Sequence, residues 1–309
     1  MSTSTTLRQS VYDRFFESSY GEYAKIGITA GPGLVWLLLL LLFPLVFLVT
    51  ISFASVNDSY QIVYEFSVSN YVSLLEGQDG WFRTPFIDTF LLSMGIAVVT
   101  TLMTIVFAFP VAYLLARASG TLFKALLFTI LLPFFTIYIV RIYSWYAFFG
   151  SSGIINSFLV WTGLVSGPVS LFNYGVFPIV VALAHAYFPY MLLTLYSSLD
   201  GIDYSVVEAA RDLGSSRVEV AKDIVVPLSA QGLITGSIFV FVPSLGSFIT
   251  PKFLAQGKVA MVGEILADRI NQIYAIDFGS AGSIFLIIPC LIGFLVIFKY
   301  ADLGGMRGI

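Results

Sequence analysis

Charge is what this sequence has least of. Asp, Glu, Lys and Arg make up 11% of its 309 residues, while 58% are hydrophobic, and a soluble domain carries roughly 25% charged residues. That leaves too little polar surface to cover a globule in water, and a mean hydropathy of +0.92 places the chain in lipid. The formal charge of −3 comes without a basic patch or stripe, which argues against nucleic acid as a partner. A single cysteine, Cys290, excludes an internal disulfide and a Cys-based metal cluster. A single histidine, His185, cannot make a metal site, and no other ligand cluster accompanies it. With no H-E-x-x-H and no nucleophile–base pair in view, an intramembrane enzyme has little to stand on. No G-x-x-x-x-G-K-[ST] occurs either, so ATP is not held here by a P-loop. No cofactor is expected on this chain.

What the sequence does have is apolar length. A spanning helix needs about 20 mostly apolar residues, and backbone inside lipid must satisfy its own hydrogen bonds, so such runs are helices. Six are expected, at residues 34–53, 89–116, 122–143, 174–199, 228–248 and 279–299, with a loop at 150–173. The expected class is an all-α membrane protein of six transmembrane helices. Residues 1–28 are polar and read as a cytoplasmic segment. Residues 29–300 form the membrane domain with a cytoplasmic loop at 200–227, and 301–309 a cytoplasmic tail. The first apolar run shows no cleavage signature and is read as a retained helix.

Orientation follows the Lys and Arg count in the loops. With the amino terminus inside, ten fall inside: Arg8, Arg14, Lys25, Arg117, Lys124, Arg211, Arg217, Lys222, Lys299 and Arg307. Five fall outside: Arg83, Arg141, Lys252, Lys258 and Arg269. Both termini are therefore expected in the cytoplasm of a bacterial inner or archaeal membrane. Trp36, the Tyr143–Trp145–Tyr146 group, and Tyr300 beside Lys299 fall near helix ends and read as boundary anchors. No inverted pair of broken helices is visible, which weighs against an ion-coupled secondary transporter.

The 200–227 loop is the most informative segment. Ser205 with Glu208, and Ser216 with Glu219, have the S-x-x-E spacing of capping boxes. Two short helices are expected, at 206–213 and 217–225, with Gly214 as the left-handed residue between them. Pro227 then stands near the start of the fifth span. The small Ala209 and Ala210 would let a partner backbone approach, and Glu208, Arg211, Asp212 and Arg217 would fix its register. A charge-mixed loop can also be simply solvated.

At these residues the chain resembles the permease subunits of ABC importers. Glu208-Ala209-Ala210 leads to Gly214 and then Ile224, with Val226-Pro227 closing the motif where Leu-Pro is usual. The resemblance implies a type I importer permease fold in which Glu208, Ala209, Ala210, Arg211, Asp212, Gly214, Ile224 and Pro227 couple to a separate ATPase. It implies two ATPase subunits holding ATP and Mg, a second and different permease chain, and an extracytoplasmic substrate-binding protein. The segments Val111–Arg117, Leu132-Pro133, Val140–Trp145, Gly153–Asn156 and Gly246–Leu254 look most like the polyamine (spermidine/putrescine) branch. Relatives importing aminophosphonates or iron(III) share these segments. A polyamine needs carboxylates for its ammonium groups and aromatic faces for its methylenes. The pathway candidates are Asp88, Glu264 and Asp268 among the acids, Tyr138, Tyr143, Trp145 and Tyr187 among the aromatics, and His185 within a span. Each also has an ordinary reading, as a solvated loop charge or as packing.

Overall fold

The computed structural model describes residues 19–77, 80–81, 84–272 and 275–305, with side chains for 30–77, 84–272 and 275–295. Among these residues the chain is helical, with two short antiparallel ladders, Ser55–Val56 with Ile62–Val63 and Glu76–Gly77 with Gly80–Trp81. The helices are α1 (Ser19–Ser52), α2 (Ser69–Leu75), α3 (Pro85–Leu115), α4 (Gly120–Leu131), α5 (Tyr138–Phe148) and α6 (Ile154–Trp161). There follow α7 (Val176–Asp200), α8 (Tyr204–Asp212), α9 (Arg217–Leu228), α10 (Ala230–Leu245), α11 (Ile249–Leu254), α12 (Val262–Ile270) and α13 (Ile276–Gly305). The charges Arg8, Arg14, Arg83 and Arg307, and the side chains of Lys25, Lys299 and Tyr300, lie outside the described residues.

Four helices are long and apolar enough to cross a membrane: α1, α3, α7 and α13. Two bent pairs complete six crossings. The third expected span, at 122–143, is not one rod. It stops at α4, passes through a 3-10 turn at Leu132–Phe135, and resumes as α5 at 92°. Pro133 causes the break, because it has no N–H to donate and its ring crowds the turn before it. The fifth span, expected to start at residue 228, starts at Ala230, with α9 leaning 69° away from it. In α9 the turn before Pro227 widens to a π-turn over Ala221–Val225, in which the Val226 N–H reaches the Ala221 carbonyl.

The core is a three-helix contact among α3, α7 and α10. Lipid tails are as apolar as Leu, so helices in a membrane associate by close packing of small residues. Here α3 turns Ala97, Thr104, Ala108 and Ala112 inward, all essentially buried. On α10 the small pair is Gly232 and Gly236. A Cβ at Gly232 would lie 2.5 Å from the Thr194 carbonyl oxygen, and one at Gly236 2.6 Å from Met191 Sδ, so only glycine permits this approach to α7. The buried hydroxyls of Thr101 and Thr104 bond the carbonyls four residues back, at 2.8 and 2.7 Å. By contrast α1 packs chiefly on α13 and leaves nearly all its apolar surface bare, with Trp36 65% and Phe43 74% exposed.

The expected loop at 150–173 contains a helix, α6, and is ordered by one buried amide. Asn156 donates to the Gly150 carbonyl at 2.9 Å and accepts from the Val169 N–H at 2.8 Å.

Candidate coupling surface and pathway

Helices α8 and α9 stand at the end of the bundle as a capped pair. Asp203 is the N-cap of α8, its carboxylate accepting the Ser205 N–H at 3.0 Å. The capping box expected from Ser205 and Glu208 does not form, because α8 begins two residues earlier than the spacing suggested. Glu208 is thereby released from any capping duty and stands exposed. The second box is present: the Ser216 hydroxyl accepts from the Glu219 N–H at 3.3 Å, and the Glu219 carboxylate accepts from the Ser216 N–H at 2.7 Å. These hydrogen bonds hold the Asp203 and Glu219 carboxyls below the usual carboxylate range.

Between the helices Gly214 is left-handed, at φ +91°. The Gly214 N–H bonds the Arg211 carbonyl at 2.9 Å and the Ser215 N–H bonds the Ala210 carbonyl at 3.1 Å. This is a complete Schellman closure, which satisfies the carbonyls left over at the helix end. The pair is fastened to the bundle by buried Val207, Val220 and Val225, packed with Leu199, Ala108 and Ala112. A second fastening is electrostatic: the Arg117 guanidinium lies 4.1 Å from the Tyr113 ring centre and 4.0 Å from that of Tyr204.

The eight candidate coupling residues therefore divide. Ala210 and Ile224 are half-buried against the bundle, and Pro227 sits at the bend. Glu208, Ala209, Arg211 and Asp212 are exposed, beside Gly214 and Leu213, the latter 88% exposed. A rigid outward face with small, charged and apolar members suits a partner protein.

The pathway candidates form two groups, both touching α11. In the first, Tyr138 and the Thr250 hydroxyl are 2.6 Å apart, and Trp145 Nε1 donates to His185 Nδ1 at 3.3 Å. Trp145 stacks on Phe149, and the Tyr187 hydroxyl donates to the Pro243 carbonyl at 3.4 Å. Accepting at Nδ1 fixes His185 as the neutral tautomer protonated at Nε2. Tyr143 leaves this group; it is half exposed and meets Phe253. In the second group Lys252 and Asp268 pair at 3.0 Å, the one ion pair among the described residues. Glu264 lies one turn from Asp268 with Oε2 buried and unpartnered. Burial pushes the Glu264 carboxyl above its ordinary value, with Asp268 adding to the shift and Lys252 opposing it. Asp88 joins neither group and stays exposed in the first turn of α3.

Arg141 is the residue that pattern-reading passed over as an outer charge. Its Nε and Nη1 are buried without a hydrogen-bond partner, and its guanidinium lies 4.9 Å from the Phe134 ring centre. It is the only charged residue between Lys124 and Asp200, a signal the sequence did contain.

Comparison with known proteins now bears on these two sites. Residues 32–303 match the family described as "Binding-protein-dependent transport system inner membrane component". The chain is 29% identical over 268 residues to the spermidine/putrescine transport system permease protein PotB of Escherichia coli (strain K12), covering 87% of this chain and 94% of that protein. It is 28% identical over 273 residues to PotB of Haemophilus influenzae, covering 88% and 92%. Among solved structures it resembles a chain of the bacterial alginate ABC transporter in complex with a pentasaccharide-bound periplasmic protein. That likeness has a TM-score of 0.62 at 16% identity and covers 96% of this chain and 99% of the other.

Proposed function

We propose that this chain, which belongs to the family of binding-protein-dependent transport system inner membrane components, forms half of the translocation pathway for a polyamine. It is a multi-pass permease subunit of an ABC importer, and the solute assignment rests on its similarity along most of its length to spermidine/putrescine permeases. In this reading it has no chemistry of its own. ATP and Mg are held by two ATPase subunits, a second permease completes the pathway, and an extracytoplasmic binding protein delivers the solute. Both termini lie in the cytoplasm.

The exposed face of α8 carries the coupling. Glu208, Ala209, Asp212 and Gly214 present it, Arg211 extends from it to a cavity beneath the pair, and Ala210, Ile224 and Pro227 hold it to α9 and α10. Closure of the ATPases around ATP then moves α8 together with the bundle. The unpartnered carboxylate oxygen of Glu264 supports a role in receiving an ammonium group, with Asp268 beside it. Tyr138, Trp145, His185 and Tyr187 line the adjoining stretch. Asp88 and Tyr143 lie apart and have the weaker claim.

One observation favours a second reading. The Arg141 guanidinium, with Nε and Nη1 buried and lacking a hydrogen-bond partner, is a poor neighbour for a polycation and a good one for an oxyanion, as an aminophosphonate would carry. The deciding experiment is solute-dependent ATPase stimulation of the reconstituted complex with spermidine, putrescine, an aminophosphonate and iron(III). Stimulation by the amines is expected; stimulation by another solute alone would show the polyamine assignment to be wrong.

A further inference from the structure

Three arginines converge beneath the capped pair. Arg117 from the end of α3, Arg211 from α8 and Arg217 from α9 line one cavity of about 380 Å³, together with Phe109, Pro110 and Tyr113. None of the three guanidinium groups makes an ion pair or hydrogen bond among the described residues. Asp200 borders the adjoining cavity with Arg117, yet forms no ion pair with it. Three like charges around one hollow repel each other, and an anion between them would remove that cost. The Tyr113 and Tyr204 rings lie against Arg117 without taking hydrogen bonds from its N–H groups, which fork onto carboxylate or phosphate oxygens.

The walls say where the anion comes from. From Arg117 a run of exposed apolar residues climbs α3 at helical spacing: Leu114 (63% exposed), Pro110, Val106 (67%) and Leu102 (57%). The stripe leads from the membrane interior to the arginines. It matches an amphiphile with tails along α3 and a charged head in the hollow. Basic hollows between spanning helices at the membrane boundary take such head groups. A free phosphate would use the arginines and leave the stripe unexplained.

We propose that the Arg117–Arg211–Arg217 cavity binds the phosphate of an anionic lipid, at a site separate from the solute pathway. Its test reads lipid retention and not transport, so its outcome does not depend on the solute assigned above. The complete complex, with its partner subunits, is equilibrated with equal phosphatidylglycerol and phosphatidylcholine, and retained lipid is measured by native mass spectrometry. The same is done for Arg117→Gln with Arg217→Gln, and for Arg117→Lys with Arg217→Lys as a charge-keeping control. The wild type is expected to retain phosphatidylglycerol preferentially, the Gln pair to lose about tenfold of that retention, and the Lys pair to keep most of it. Equal retention by the wild type and an assembled Gln pair would overturn the site, leaving the arginines for a partner's carboxylates. Displacement by millimolar inorganic phosphate without preference for phosphatidylglycerol would overturn the lipid as source and assign the hollow to free phosphate.

Discussion

At the scale of single residues the proposed coupling surface depends on a few positions whose replacement has a defined consequence. Gly214 sits at φ +91°, where any side chain is strained by roughly 1–2 kcal/mol. Gly214→Val is expected to abolish solute uptake while the chain still inserts, as judged by membrane fractionation beside a transport assay. Glu208→Ala is expected to do the same without strain, since Glu208 is exposed and caps nothing. Normal uptake by both variants would remove α8 from the coupling role. Asp203 and Glu219 set a pH dependence. Their folded values are depressed, so their contribution is present above the ordinary carboxylate range of about 4 and is lost as pH falls through the lowered values. Amide protection over residues 203–220, taken relative to the intrinsic exchange rate, should therefore fall at acid pH, and Ser216→Ala should shift that onset toward neutrality. Glu264 behaves oppositely, since its proton is held to a higher pH. If it receives an ammonium group, uptake should rise as pH rises through its titration, and Glu264→Gln should flatten the profile.

At the scale of elements, the contact between α7 and α10 leaves no room for a side chain at Gly232 or Gly236. Gly232→Val should cost about 1–3 kcal/mol of overpacking, seen as a lower thermal midpoint of the purified complex. The same surface substitution at Gly293, which has open space around it, should leave the midpoint unchanged. Much of this level was legible in advance. Apolar run length located six crossings, and the spacing through Gly214 located the capped pair, because both are set by local chain chemistry. Two features were not legible. Pro133 lies inside an unbroken apolar run, so composition could not distinguish a straight span from one bent by 92°. The N-cap of α8 fell on Asp203, not Ser205, because the Asp203 carboxylate takes the Ser205 N–H, and two good capping residues two apart left the spacing ambiguous. Among the pathway candidates, residue type identified Tyr138, Trp145 and His185, but only the fold could separate Asp88 from them.

At the scale of the whole molecule, the chain behaves as one component of an assembly. The bare apolar surface of α1 suits lipid or a neighbouring protein, and the outward face of α8 is the surface proposed above to meet an ATPase. Purified alone, the chain should hydrolyse no ATP, and hydrolysis should appear only with the ATPase subunits added, as read by phosphate release. The clamp of Arg117 between Tyr113 and Tyr204 has a mechanical consequence. It ties Tyr204, the first residue of α8, to the end of α3, which favours the two helices moving together. Helix α3 has 31 residues, a length of ~46 Å at 1.5 Å per residue, so a tilt of ~10° at the clamped end swings the far end by ~8 Å. In the proposed coupling, a tilt of that size delivered at α8 would therefore be felt at the opposite end of α3.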